Sequence, residues 1–300
     1  MPVTKKIHKK YLSIAGKILS RLSPTYKKLS SIEKSCENNK EIYRLVQKAI
    51  FYDNSWYKLF LPNYEQTVLI VTFGRTGSTL LQGLLNSIPE ALIRGENNNF
   101  GYTLNFSYRE CFLSWKKHSK KEMQFATSPW FGAYALNEDV LLNDMRNLFF
   151  KQLYPDGSMH RILGFKEIRY LPPDLRASSA PYPASLFGLL DFYKILFRNV
   201  KFIFHTRDYG QVIQSAWWPG GNAEETINHF TSFDAAVAQY SAENPDICYH
   251  TTYADILANA EVVKGLFAFI GAEYNEASVN KVLNTKHSYK PTQPWVQAMK

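Results

Sequence analysis

Between Thr67 and Ile88 the chain reads TVLIVTFGRTGSTLLQGLLNSI, and no other stretch so narrows what it can fold into. Val68, Leu69, Ile70, Val71 and Phe73 form a short apolar run, the pattern of a strand covered on both faces in a parallel sheet. Leu80, Leu81, Leu84, Leu85 and Ile88 then recur at helical spacing. Between them, Gly74-Arg75-Thr76-Gly77-Ser78-Thr79 sets glycines, hydroxyls and a guanidinium at a helix N-terminus. The first amides of a helix lack intrahelical partners and lie at the positive end of its dipole, so the segment predicts an anion site. An ordinary βα turn with a solvated arginine is the alternative. The spacing is not that of a Walker A loop, G-x-x-x-x-G-K-[ST], because Gly74 and Gly77 are too close and no lysine follows. Magnesium-dependent nucleoside triphosphate chemistry is disfavoured accordingly.

Extended to RTGSTLLQGLLNSIPEALIRGEN, the segment resembles the 5′-phosphosulfate loop of sulfotransferases that use 3′-phosphoadenosine 5′-phosphosulfate (PAPS). The likeness is to the branch with arginine rather than lysine, which includes carbohydrate, bacterial and tyrosylprotein sulfotransferases. Two further segments support it. HTRDYGQVIQSAW resembles the 3′-phosphate element of the family, with Arg207 at a strand end and Ser215 eight residues on. An arginine there can grip a phosphate bidentately while the serine adds a hydroxyl donor from the following helix. The usual proline after Arg-Asp is Tyr209 here, as is common in the tyrosylprotein branch. NTKHSYKPT is similar to the C-terminal nucleotide loop of tyrosylprotein sulfotransferases, making Thr285, Lys286 and Lys290 candidates, with a solvated tail as the alternative.

At 300 residues the chain can bury one large α/β core. The reading divides it into a basic amphipathic helical extension, residues 1–62, and a catalytic domain, residues 63–300. Cys36, Cys111 and Cys248 are few and far apart, which suggests neither a disulfide framework nor a zinc site and fits a reducing, cytoplasmic compartment. No apolar segment approaches the roughly 20 residues needed to span a bilayer, and the lysine-studded N-terminus has no signal-peptide apolar core.

The net charge of +9 is unevenly placed, since Lys5, Lys6, Lys9, Lys10, Lys17, Arg21, Lys27 and Lys28 all precede the first acidic residue, Glu33. Those eight leave only +1 for the rest. Ile7, Tyr11, Ile14, Ile18 and Leu22 would give a helix there an apolar side opposite a basic one. Such a helix can lie on the anionic cytoplasmic face of a membrane, bind an acidic polymer or assembly partner, or dock on its own domain. Nucleic acid is not expected, because the remaining chain supplies no basic excess. A second helix is read over residues 32–52. LSPTYKKLSSIEK also resembles leaders on bacterial polysaccharide-assembly enzymes, which hints at the substrate class.

Downstream, Ala91–Arg94 reads as a short strand delivering Gly95-Glu96-Asn97 to its C-terminal edge, where ligands of open α/β sheets bind. Glu96 is thus a candidate general base, or else an exposed loop glutamate. Tyrosylprotein and related sulfotransferases carry their base in a similar Gly-Glu position, and the resemblance implies that role for Glu96. Asn97 to Asn99 could contact acceptor hydroxyls or form a turn. Residues 102–153 read as an aromatic-rich, acceptor-facing insertion in which Trp115, Trp130 and Phe131 could stack on sugars or belong to the core. In RILGFKEI, Lys166 at the end of an apolar run could neutralise charge on a transferring sulfuryl group or pair with Glu167 or another acid. Prolines 172, 173, 181 and 183 mark an irregular loop. His205, though near Asp208 and a serine, lacks a nucleophile elbow and reads as a strand-end core residue. Tyr253-Ala-Asp-Ile-Leu resembles the family's Tyr-Glu-Asp-Leu turn, so Tyr253 either approaches an adenine or only packs.

These features predict a three-layer α/β fold around a mostly parallel sheet. The resemblance implies a metal-free, in-line sulfuryl transfer from PAPS to an acceptor hydroxyl, with a bacterial surface or capsular polysaccharide, or its precursor, as the expected acceptor. Glu96, Arg75 and Lys166 are the implied catalytic groups. Arg75, Thr76, Gly77, Ser78, Thr79, Arg207, Ser215, Tyr253, Thr285, Lys286 and Lys290 are the implied nucleotide contacts. A phosphoryl transferase with a degenerate loop and a non-catalytic nucleotide-binding module are the rival readings.

Overall fold

A computed structural model of the chain describes residues 64–118, 125–154, 160–176, 180–215, 218 and 221–285. The helices expected within residues 1–62, Cys36, and the candidates Lys286 and Lys290 lie outside the described residues.

The apolar run at the start of the core forms strand β1 (Gln66–Thr72), followed by helix α1 (Ser78–Leu85) and strand β2 (Ala91–Arg94). Next come α2 (Phe100–Phe106), a π-helical turn over Ser107–Phe112, α3 (Leu113–Lys117) and α4 (Glu138–Leu153). Strand β3 (Ile162–Glu167), α5 (Ala184–Leu196), β4 (Val200–Thr206), α6 (Tyr209–Ile213) and α7 (Ala223–Glu243) follow. Strand β5 (Cys248–Thr252) leads into α8 (Tyr253–Ala258), α9 (Ala260–Phe269) and α10 (Glu276–Leu283). All pairings are parallel and the strand order is β2-β3-β1-β4-β5, so β1 is the centre of the sheet.

Side chains alternate across a strand, and β1 shows how both faces become buried. Val68 and Ile70 join Leu80, Leu81, Leu84 and Leu85 of α1 and Val263, Leu266 and Phe267 of α9 on one face. Leu69 and Val71 meet Phe149 of α4, Leu189 and Tyr193 of α5, and Phe233 of α7 on the other. The result is the three-layer α/β fold that the continuous apolar runs predict.

The chain builds β3 on one side of β1 and then crosses to build β4 on the other. Such a switch in strand order opens a crevice at the strands' C-terminal edge, where the Gly74–Gly77 loop emerges. Two local readings are corrected. Helix α6 stops at Ile213, so Ser215 lies just past the helix that follows β4 rather than on it. Tyr253 to Leu257 is the opening of α8 rather than a turn, because the Thr252 hydroxyl caps that helix by accepting from the Asp255 amide at 3.1 Å.

Candidate active site

The loop after β1 is held in an unusual shape. Arg75 has φ 74° and Gly77 φ 85°, both in the left-handed region. Glycine is required at 77 for a second reason: a Cβ there would sit 2.2 Å from the Tyr253 ring. Asn137, Asn222, Asn259 and Asn275 cap α4, α7, α9 and α10 with their side chains, but α1 starts at Gly77 with no side-chain cap. Its first amides therefore have no side-chain acceptor at the crevice, the arrangement that can take an anion.

The loop is braced from beneath. The Thr72 hydroxyl donates to the His205 carbonyl at 2.5 Å and lies 2.8 Å from the Thr76 hydroxyl. The fully buried His205 donates from Nε2 to the Thr76 carbonyl at 3.0 Å. Burial pushes the His205 imidazole down to about 4, so it is neutral and serves as a fixed donor. The strand-end core reading of His205 is correct, but the histidine also ties the anion loop to β4, which no local pattern announces. Thr76 Oγ1 also donates to the Phe73 carbonyl at 3.2 Å, so this hydroxyl faces the interior, and the fully buried residue is not among those that line the cleft.

Arg75, Gly77, Ser78, Thr79, Glu96, Lys166, Arg207, Tyr253 and Thr285 line one cleft of about 290 Å³. Ser215 joins it by accepting from Arg75 Nε at 2.8 Å. Sequence reasoning did not include its apolar wall, formed by Leu80, Ile168, Leu257 and Leu283. At one end, Arg207 donates to Gln211 Oε1 at 3.0 Å and to the Arg75 carbonyl at 3.4 Å, while its guanidinium lies 4.5 Å over the Tyr253 ring. Tyr253 thus packs on both Gly77 and Arg207.

At the other end, β2 and β3 are hydrogen-bonded neighbours, and their edges bring Lys166 to Glu96. Lys166 Nζ donates to Glu96 Oε1 at 2.5 Å, with the lysine side chain 7% exposed and the carboxylate 44%. The partner of Lys166 is therefore Glu96 and not its neighbour Glu167. Asn97 and Asn99 take the turn-forming role: the Asn97 side chain accepts from the Phe100 amide at 2.9 Å, and Asn99 donates to the Arg169 carbonyl at 2.9 Å. Trp115 and Phe131 are exposed and His118 stacks on Trp130 at 4.1 Å, so these aromatics form a surface cluster rather than core.

The arrangement joins an amide-lined, guanidinium-flanked anion site to a lysine–carboxylate pair. Such a cleft can hold a nucleotide carrying two phosphate positions and accept a proton from a hydroxyl beside it. No metal-ligating cluster of His, Cys, Asp and Glu occurs among the described residues.

A family description, "Sulfotransferase family", matches residues 67–276. No curated protein sequence matches the chain. Among solved structures, the sulfotransferase domain of the Synechococcus PCC 7002 olefin synthase is similar at 17% identity and TM-score 0.47, covering 80% of this chain and 85% of that one. A Mycobacterium tuberculosis sulfotransferase is similar at 13% identity and TM-score 0.38, covering 94% and 93%. Retinol dehydratase, in complex with androsterone and inactive cofactor PAP, is similar at 14% identity and TM-score 0.35, covering 78% and 68%. The family assignment rests on the match over residues 67–276 and not on these three likenesses.

Proposed function

The chain belongs to the sulfotransferase family, and we propose that it moves a sulfuryl group from PAPS to a hydroxyl of a carbohydrate acceptor. The observation that carries this reading is the joining, in one cleft, of the uncapped N-terminus of α1 with Arg75 and Arg207 at one end and the Lys166–Glu96 pair at the other. When bound, PAPS supplies the sulfuryl group and a 3′,5′-bisphosphate leaving group.

The chain's own residues fit such a donor. The open amides and hydroxyls of Ser78 and Thr79 suit the 5′ end, and Arg207 with Ser215 suits the 3′-phosphate. Arg75 has its guanidinium on Ser215 and its backbone in the 5′ loop, so it bridges the two. Lys166 supplies positive charge where negative charge gathers, and supplies it from a position already fixed by burial. The Glu96 carboxylate, open to solvent yet held by Lys166, takes the proton from the acceptor's hydroxyl. The uncapped end of α1, with Arg75 and Arg207, supplies the positive charge, so this scheme requires no magnesium.

A carbohydrate acceptor is supported by the resemblance to the carbohydrate branch and by the exposed aromatic cluster of Trp115, Phe131 and Tyr134, side chains of the type that stack on sugar rings. A bacterial surface polysaccharide or its precursor is the proposed form. The test is transfer of radiolabelled sulfate from PAPS to a panel of saccharides, lipids and peptides in the presence of a chelator. Labelled saccharide is the expected product. Label only in peptide or lipid would overturn the acceptor class, and no transfer to any acceptor would overturn the enzymatic reading.

A further inference from the structure

Glu167 is the last residue of β3 and is fully buried, yet no part of the proposed reaction uses it. Its carboxylate accepts three backbone hydrogen bonds. Oε2 takes the amides of Asn97 at 3.1 Å and Asn99 at 2.8 Å, and Oε1 takes the amide of Ile168 at 2.8 Å. A buried carboxylate is costly unless its charge is met by such donors, and bonds of this kind are roughly twice as strong as neutral ones.

The turn it holds is one the backbone resists. Asn98 and Asn99 both have positive φ, 55° and 57°, a conformation that asparagine tolerates better than most residues but that still disfavours an L-residue. Two amides of that turn converge on a single oxygen of Glu167, so the carboxylate acts as a built-in anion around which residues 97–99 are wrapped. Glu96 is the residue immediately before this turn.

Lys166 and Glu167 are consecutive on a strand, so their side chains leave the backbone in opposite directions. One grips the Glu96 carboxylate and the other grips the backbone just beyond it. We infer that Glu167 is a positioning residue for sulfuryl transfer, fixing Glu96 through the 97–99 turn, an inference that rests on Glu96 being the proton acceptor. Without this hold, the Glu96 side chain would keep its ion pair to Lys166 but on a backbone free to shift. Displacements of about 1 Å at a reacting group can cost on the order of 100-fold in rate.

The experiment is a kinetic cycle of Glu167→Gln, Glu96→Gln and the double variant, with affinity for 3′-phosphoadenosine 5′-phosphate measured by calorimetry on each. Glutamine keeps the volume of Glu167 but removes the charge that strengthens all three bonds, and its NH2 must face the backbone amides either of the turn or of Ile168. In the otherwise native protein, E167Q is expected to lower kcat by about 10- to 100-fold, with nucleotide affinity and donor KM unchanged within about two-fold. Amide hydrogen exchange at Asn97 and Asn99 should quicken. In the E96Q background, adding E167Q should cost less than about two-fold, because the residue on which it acts has already been disabled. Equal losses in both backgrounds, or an undiminished kcat in E167Q alone, would overturn the positioning role and leave the base assignment standing. Full turnover in E96Q alone would overturn the base assignment and the inference with it. Should E167Q not fold, E167D keeps the charge while drawing the carboxylate back by one methylene, and is read on the same cycle.

Discussion

A guanidinium already held over an aromatic ring gives up little freedom when it takes a phosphate, and Arg207 is in that state against Tyr253, with Gln211 and the Arg75 carbonyl taking its N–H donors. Arg207→Ala should therefore weaken binding of 3′-phosphoadenosine 5′-phosphate by about 1.5 to 3 kcal/mol through the lost charge-assisted bonds. Calorimetry in the presence of a chelator measures this, and ATP binding equally well, or binding only with magnesium, would contradict it. Glu96→Gln removes basicity but keeps size, so affinity for the same nucleotide should hold while turnover drops by about 10²- to 10⁴-fold, read by single-turnover kinetics. Near-normal turnover where chemistry limits the rate would place the base elsewhere. Among single residues, the groups proposed to bind the anion are the most legible in sequence, because glycine, hydroxyl and arginine cluster locally. The partner of Lys166 is not, since Glu96 lies 70 residues away and meets it only through the pairing of β2 with β3. Nor is the role of Glu167, whose amide partners belong to that same distant turn.

Among the elements, β1 and α1 are legible because a strand buried on both faces is written as an unbroken apolar run and a helix as a stripe. Helix α6 is not: it spans only five residues, too few for a periodic stripe to mark where it ends. The link between β4 and the anion loop is likewise tertiary, and it carries a consequence for pH. The folded-state pKa of His205 is depressed to about 4, below an unfolded value of roughly 6.5. As pH falls through this window the unfolded chain binds a proton that the folded protein refuses. The stability at stake is fully present above about pH 6.5 and is lost progressively down to about pH 4, an order of 3 kcal/mol. His205→Gln keeps an amide donor for the Thr76 carbonyl but cannot titrate, so its unfolding free energy should fall less steeply between those limits. Denaturant titrations at stepped pH read the difference, and parallel profiles for the two proteins would refute it.

At the scale of the molecule, the strand order puts the anion loop at the centre of the sheet, with the Lys166–Glu96 pair on one side and Arg207 on the other. The order itself is invisible to local pattern, because parallel strands of similar composition do not declare their neighbours. No helix among the described residues is long and apolar enough to cross a membrane. Eight positive charges fall within residues 1–28, in the same stretch of sequence as Ile7, Tyr11, Ile14, Ile18 and Leu22. We propose that this segment holds the enzyme against an anionic lipid surface, where basic side chains contribute about 1 kcal/mol each and apolar ones add burial in the interface. The charge and the stripe lie in the same stretch, so removing residues 1–28 should take both away while leaving the cleft intact. Co-sedimentation with vesicles of phosphatidylglycerol and phosphatidylcholine should then fall sharply, and the binding of the intact protein should weaken as salt is raised through the range where screening shortens to a few ångströms. Calorimetry on the truncated protein should return an unchanged affinity for 3′-phosphoadenosine 5′-phosphate. Vesicle binding that survives the truncation, or that the intact protein never shows, would refute attachment to lipid and leave an acidic polymer or the protein's own domain as the partner of this segment.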